Sequence, residues 1–161
     1  MGVEIERKFL LKDSSWKRGA RGLRLRQAYL STDPDRTVRV RMTEHEPGRY
    51  QAWLTIKGRS NGPVRAEYEY PIPADQASAM IDTLCLEPAI EKIRYRVDHQ
   101  GDVWEIDEFA GANAGLVVAE IELDTADQRF VVPPWLGVEV TDDPRYTNAR
   151  LVSLPFSRWP R

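Results

Sequence analysis

Apolar and charged residues alternate with period two along most of this chain, and short polar, proline or glycine turns interrupt the alternation. Side chains of a strand point to opposite faces in turn, so the pattern specifies strands with one apolar and one charged face. Interruptions of turn length favour antiparallel neighbours over repeated strand and helix units. About eight strands are expected: Val3 to Leu10, Leu23 to Ser31, Arg36 to His45, Arg49 to Lys57, Arg65 to Ile72, Ala89 to Asp98, Val103 to Phe109 and Leu116 to Leu123. The segment Ala74 to Leu86 breaks the rhythm. It places Ala77, Met80, Ile81, Leu84 and Cys85 on one side at helical spacing between Pro73 and Pro88, which predicts a helix packed outside the sheet. A short helix is also expected over Asp124 to Phe130, and another from Tyr146 to Leu154, where Pro155 ends it.

The residues that share a face carry the chemistry. VEIERKFL sends Glu4, Glu6 and Lys8 one way and Val3, Ile5, Arg7 and Phe9 the other. The same parity joins Arg39 with Arg41, Glu67 with Glu69, Lys92 with Arg94 and Arg96, Glu105 with Asp107, and Glu120 with Glu122, while Lys57 lies near a strand end in LTIKG. For a single strand, a solvated outer face explains such a pair. Antiparallel strands in this number can instead close into a barrel, and helices outside it need an apolar exterior, which turns the charged faces toward the lumen. The recurrence of both signs favours a closed eight-stranded antiparallel β-barrel tunnel, all-β dominated with helices packed outside, over an open sheet with a charged surface.

The 161 residues suit one domain over 1–161, and 23 Lys and Arg against 25 Asp and Glu leave no global positive field for nucleic acid. A single Cys85 excludes an internal disulfide framework, and no stretch resembles a signal segment or a bilayer span. A cytoplasmic protein without a membrane partner is expected. External apolar strips either cover one barrel or join two copies, so a homodimer stays open.

Arginine offers a planar fork to phosphoryl oxygens and lysine a compact charge, so Lys8, Arg39, Arg41, Lys57, Lys92 and Arg94 would together clamp a condensed phosphate. Glu4 and Glu6 with Glu120 and Glu122 form two acidic ladders of hard oxygen donors suited to Mg²⁺ or Mn²⁺. His45 and His99 lack the partners a zinc site needs and are assigned to the surface. Glu67 and Glu69 either join the metal network or orient the basic clamp. The chemistry this set suits is phosphoanhydride hydrolysis. Tyr29, assisted by Lys8, is a candidate for aligning or deprotonating the attacking water, provided that Gln27 and Tyr29 face inward; if Arg24 and Arg26 do so instead, Tyr29 loses that role. The five tryptophans are read as core or rim packing, and the chain has no GxxxxGK[ST] phosphate loop. Arg145, Tyr146 and Asn148 either lie over a tunnel end or belong to a helix cap.

The ExExK of Glu4, Glu6 and Lys8 resembles the opening of the CYTH superfamily, the triphosphate tunnel metalloenzymes. VRVR with Arg39 and Arg41, LTIK with Lys57, EYE with Glu67 and Glu69, EKIRY with Lys92 and Arg94, EIDEF with Asp107, and EIE with Glu120 and Glu122 resemble family positions in the same order. MGVEIERKFL, QAYL and PPWLGVEVTDDPRYTNARL are similar to the small bacterial branch. The resemblance implies a closed eight-stranded tunnel, a divalent cation and a bound triphosphate moiety. It implies Glu4, Glu6, Glu120 and Glu122 as metal residues, Lys8, Arg39, Arg41, Lys57, Lys92 and Arg94 as phosphate residues, and Glu67, Glu69 and Asp107 as a supporting network. Inorganic triphosphatase activity releasing pyrophosphate and orthophosphate is the expectation it carries. Thiamine or nucleoside triphosphate hydrolysis, adenylate cyclisation and noncatalytic polyphosphate binding are alternatives that the charged pairs alone do not separate.

Overall fold

The computed structural model describes residues 2–160. Strands β1 (Gly2–Leu11), β2 (Gly22–Ser31), β3 (Arg36–Glu46), β4 (Arg49–Gly58), β5 (Val64–Ile72), β6 (Ile90–His99), β7 (Asp102–Phe109) and β8 (Val117–Glu122) pair antiparallel in the order β5-β4-β3-β2-β6-β7-β8-β1. A further pairing of β5 with β1 closes the barrel. All eight expected strands are present.

A ninth strand, β9 (Leu136–Glu139), was not expected; it extends the sheet beyond β1. One long strand serves three partners: Gly2 to Ile5 meet β5, Glu6 to Phe9 meet β8, and Phe9 and Leu11 pair with β9. The sequence LGVE is too short for a period to be read, and its extended form follows from the free edge that β1 offers beyond the end of β5.

The helix α1 (Ala74–Thr83) lies outside the barrel, where Ala77 and Ile81 pack on Ala28, Val40 and Ala52. It stops short of the expected Leu86. The backbone N–H groups of Leu84 and Cys85 both bond the Met80 carbonyl, and that of Leu86 bonds the carbonyl of Tyr29 on β2, so the chain leaves the helix to dock on the sheet. Leu84 therefore projects outward, 66% exposed, instead of joining the apolar stripe.

The expected helix over Asp124 to Phe130 is absent. The backbone of Asp124 donates to the Gln128 side chain at 2.6 Å, and that of Gln128 to the Thr125 carbonyl at 3.2 Å, forming a tight turn. This stretch has no apolar stripe to bury except Phe130, which stacks edge-on against Trp104 with ring centroids 5.3 Å apart. Phe130, Trp16 and Trp135 cover the second outer cluster, in which Phe9, Trp104, Ile106, Ala119 and Ile121 are buried.

The C-terminal segment folds as a 3-10 turn, Pro144–Tyr146, followed by α2 (Asn148–Ser153), in place of one helix from Tyr146. Thr147 interrupts it as an N-cap, its hydroxyl accepting from the Arg150 N–H at 3.3 Å. Leu151 and Val152 of α2 pack with Tyr146 against Tyr29, Ile90, Phe109 and Val118. Strand parity places those four on the same face as the charged ladders, so α2 and its apolar contacts fill one end of the lumen. Each such fully buried aliphatic side chain contributes about 1.5–3 kcal/mol, which holds this closure without any covalent link.

No helix among the described residues is long and apolar enough to cross a membrane.

Candidate active site

The register of the strands creates the charge pairs. Lys8 stands opposite Glu120 and Glu6 opposite Glu122 on β1 and β8; Lys57 stands opposite Glu67 on β4 and β5; Arg94 stands opposite Asp107 on β6 and β7. Because facing residues in an antiparallel pair lie on one side of the sheet, all of these charges share the inner face of the barrel. A cavity of about 270 Å³ results, lined by seven acidic and seven basic side chains. The equal numbers hide a segregation. The acidic ladders sit on β1 and β8, whereas Arg39, Arg41, Lys57 and Lys92 sit on β3, β4 and β6.

All the expected site residues line this cavity except Asp107, which shares the inner face but is covered by Lys92 and Arg94. Asp107 is 1% exposed, takes two bonds from the Arg94 guanidinium at 2.8 and 3.0 Å, and meets Lys92 Nζ at 2.8 Å. Burial opposes its ionisation, but Arg94 and Lys92 hold the carboxyl well below the ordinary carboxylate range. Burial, reinforced by the repulsion of Arg94, pushes Lys92 down to about 8 despite the attraction of Asp107. Arg94 also reaches Glu105 at 3.4 Å. Arg96, grouped with these residues by parity, lies outside the cavity instead, in an exposed pair with Asp98.

Lys57 donates to Glu4 at 2.7 Å and lies 3.5 Å from Glu67. Lys8 donates to the Tyr146 carbonyl at 3.1 Å and lies 3.8 Å from Glu120. Arg39 and Arg41 face one carboxylate, that of Glu69, at 3.6 and 3.7 Å, and Glu69 already accepts from the Thr55 hydroxyl at 2.7 Å. The Nε atoms of both arginines are buried without a hydrogen-bond partner among the described residues. Burial, together with the neighbouring Arg39 and Arg94, lowers Arg41 to about 10. A buried donor left unpaired costs about 1–3 kcal/mol, so this basic wall is short of acceptor oxygens.

The acidic wall shows the opposite imbalance. Burial and the adjacent Glu120 hold the Glu6 carboxyl well above the carboxylate range. Burial also raises Glu4 and Glu122, with neighbouring carboxylates adding to the effect. Glu120 is likewise buried, yet Lys8, Arg94 and a hydrogen bond from Glu6 bring it down to about 2. Glu4, Glu6, Glu120 and Glu122 thus crowd four carboxyl groups onto one wall of the cavity. A hard divalent cation would relieve this crowding with oxygen donors, so the donor set fits Mg²⁺ or Mn²⁺ in its chemistry. Among the described residues, no group of three or more His, Cys, Asp or Glu is arranged as a metal site.

Tyr29 and Gln27 face inward, opposite Arg39 and Arg41, while Arg26 turns out to Asp82 of α1. Tyr29 borders the cavity where the apolar end begins. Of the tunnel-end candidates, Asn148 enters the cavity, whereas Arg145 pairs with Asp143 outside it. Sequence reasoning passed over Thr37, Thr55 and Arg65. Each shares the parity of a residue it did identify, namely Arg39, Lys57 and Glu67, and that parity was the available signal. Of the remaining aromatic and histidine residues, Trp53 lies under Arg41, with the guanidinium 5.2 Å from the ring centroid, and His99 stacks on Trp135.

The chain is 45% identical over 159 residues to an inorganic triphosphatase of Acetivibrio thermocellus, covering 99% of each sequence. It is 36% identical over 158 residues to an inorganic triphosphatase of Nitrosomonas europaea, covering 95% of this chain and 99% of that one. A crystal structure of an inorganic triphosphatase superposes with a TM-score of 0.61 at 33% identity, covering 92% of this chain and 96% of the other. The CYTH domain profile matches residues 2–147, which span the barrel and the segment that leads into its closed end. A barrel of oppositely charged ladders, near-full-length relatives and a matching profile agree: the chain belongs to the CYTH family.

Proposed function

We propose that the protein hydrolyses inorganic triphosphate to pyrophosphate and orthophosphate with Mg²⁺ or Mn²⁺. The observation that carries this reading is the basic wall in which Arg39 Nε and Arg41 Nε are buried without partners among the described residues, facing an acidic wall on which Glu4, Glu6, Glu120 and Glu122 crowd together. A polyphosphate with its cation supplies acceptor oxygens to the first wall and positive charge to the second. The two relatives described above are inorganic triphosphatases. Ala149 is the only lining residue, among those described, without a polar or charged side-chain group, so the lining favours a phosphate chain over a nucleobase or thiazole ring.

Glu4, Glu6, Glu120 and Glu122 would hold the cation, which when bound neutralises phosphoryl oxygens and polarises the phosphorus under attack. Lys8, Arg39, Arg41, Lys57, Lys92 and Arg94 bind the phosphate chain and stabilise the charge that moves to the leaving group. Asp107 clamps Lys92 and Arg94 in place, while Glu67 and Glu69 orient Lys57 and the arginine pair. Tyr29, which lines the same cavity as Lys8, aligns water for attack on a terminal phosphorus. The bond from that phosphorus to its bridging oxygen breaks, orthophosphate forms, and the electron pair leaves on pyrophosphate.

The test gives purified protein, with Mg²⁺ or Mn²⁺, tripolyphosphate, ATP and thiamine triphosphate in parallel. Phosphate, pyrophosphate and cyclic AMP are measured. Preferred release of phosphate and pyrophosphate from tripolyphosphate is the expected result. Preferred turnover of an organic triphosphate, cyclic AMP formation, or binding without turnover each overturns it.

A further inference from the structure

Asn148, the first residue of α2, is the one side chain of the closing helix whose polar group reaches the charged ladders. Its Oδ1 accepts from Lys92 Nζ at 2.9 Å and from Gln27 Nε2 at 2.8 Å. A lysine ammonium is a donor only, so it must face the oxygen of the carboxamide, and this fixes which way the amide is turned. Asn148 Nδ2, the other end of the group, has no hydrogen-bond partner among the described residues. Gln27, fully buried, is held as a donor to the same oxygen and secures the orientation from a second side.

We propose that Asn148 is a phosphate-binding residue of this cavity, its amide N–H group donating to an oxygen of the bound polyphosphate while its carbonyl end is held by Lys92 and Gln27. This rests on the reading of the cavity as a polyphosphate site and adds the closing helix to the binding machinery. A neutral donor of this kind complements the arginines and lysines: it recognises a phosphate oxygen without adding charge repulsion to Lys92, which already lies against Arg94 across Asp107. It also places a phosphate donor on the same helix whose Leu151 and Val152 pack into the barrel end.

Two substitutions and one direct signal test this. Asn148→Asp keeps an acceptor for Lys92 but loses the N–H donor; Asn148→Ala loses the donor without adding charge. Calorimetric binding of tripolyphosphate is expected to weaken about 10-fold or more in both, the effect of one hydrogen bond to a charged partner. In ¹⁵N-labelled protein, the side-chain amide pair that disappears in Asn148→Asp should shift in the parent as tripolyphosphate is added. Weakening in Asn148→Ala alone would show that the residue acts only by holding Lys92, and weakening in Asn148→Asp alone would show only charge repulsion; either overturns the proposal. So does an amide pair that stays in place at saturating tripolyphosphate. If the parent itself fails to bind tripolyphosphate, the reading of the cavity falls; if the parent binds and both variants match it, only the role of Asn148 falls.

Discussion

Replacing Asp107 by asparagine removes the anion from the most deeply buried ionic group in the barrel wall. The side chains of Asp107 and Lys92 are 2% and 1% exposed, and that of Arg94 is 18% exposed, so solvent screens the group poorly. Asparagine keeps the shape and one acceptor oxygen but leaves two cations facing one uncharged group. Removing one partner of a buried pair costs about 3–5 kcal/mol, and the retained oxygen puts the expected loss at the lower end, about 3 kcal/mol. At about 2–4 °C per kcal/mol for a chain of this size, the melting temperature should fall by about 6–12 °C. Urea unfolding followed by fluorescence of the buried Trp16, Trp104 and Trp135 measures the free-energy loss, and thermal unfolding on the same signal measures the shift. Arg96→Ala is the control: Arg96 and Asp98 are 3.7 Å apart and both 72% exposed, so their loss should change stability by less than about 0.5 kcal/mol.

The pH dependence of this loss has a definite sign. Asp107 has a folded-state pKa below the ordinary 3.8, so its contribution is present above that value and is lost as the pH falls through the folded pKa. The gap between parent and Asp107→Asn should therefore narrow below about pH 4. Lys92 behaves in the reverse sense from a lysine that gains a partner. Its folded pKa of about 8 lies below the ordinary 10.5, so between these values the unfolded chain binds more protons and stability rises with pH. Without Asp107 that rise should begin at lower pH. A loss smaller than about 1 kcal/mol with a parent-like pH profile would refute the argument that this group is an interdependent buried network.

Two further outcomes follow from the two walls. Arg39→Ala removes a guanidinium whose Nε has no protein partner, so it should leave the melting temperature nearly unchanged and raise KM for tripolyphosphate by about 10–100-fold; an unchanged KM sinks its assignment to the phosphate clamp. Glu122→Gln keeps the shape of a partly exposed carboxylate without its charge, and should raise the Mg²⁺ or Mn²⁺ concentration for half-maximal turnover by about tenfold or more. An unaltered metal titration would remove Glu122 from the set that holds the cation.

The composition of the cavity was legible in the chain because a strand has a period of two. Once Glu4, Glu6 and Lys8 share a face, the pleat puts them on one side whatever their partners are, and the same holds for Arg39 with Arg41 and Glu120 with Glu122. Apolar residues on the opposite faces then oblige the charged faces to turn inward. The position of α1 was readable for a similar reason, since Ala77 and Ile81 recur at helical spacing.

Tertiary structure decided whatever depends on a partner far away in sequence. The strand at Leu136 exists because β1 has an unoccupied edge there, and the turn at Asp124 exists because Phe130 is drawn onto Trp104. Parity offered two faces for Tyr29 and could not choose; the packing of Ile90, Phe109, Leu151 and Val152 against it chose the inner one. Which carboxylate neutralises which cation was also decided in space. Lys57 meets Glu4 across β5, and Asn148 meets Lys92 from a helix that closes the barrel end. Alternation is a property of neighbouring residues and is written into the chain, whereas closure and charge pairing are properties of distances between segments, which arise only once the barrel has formed.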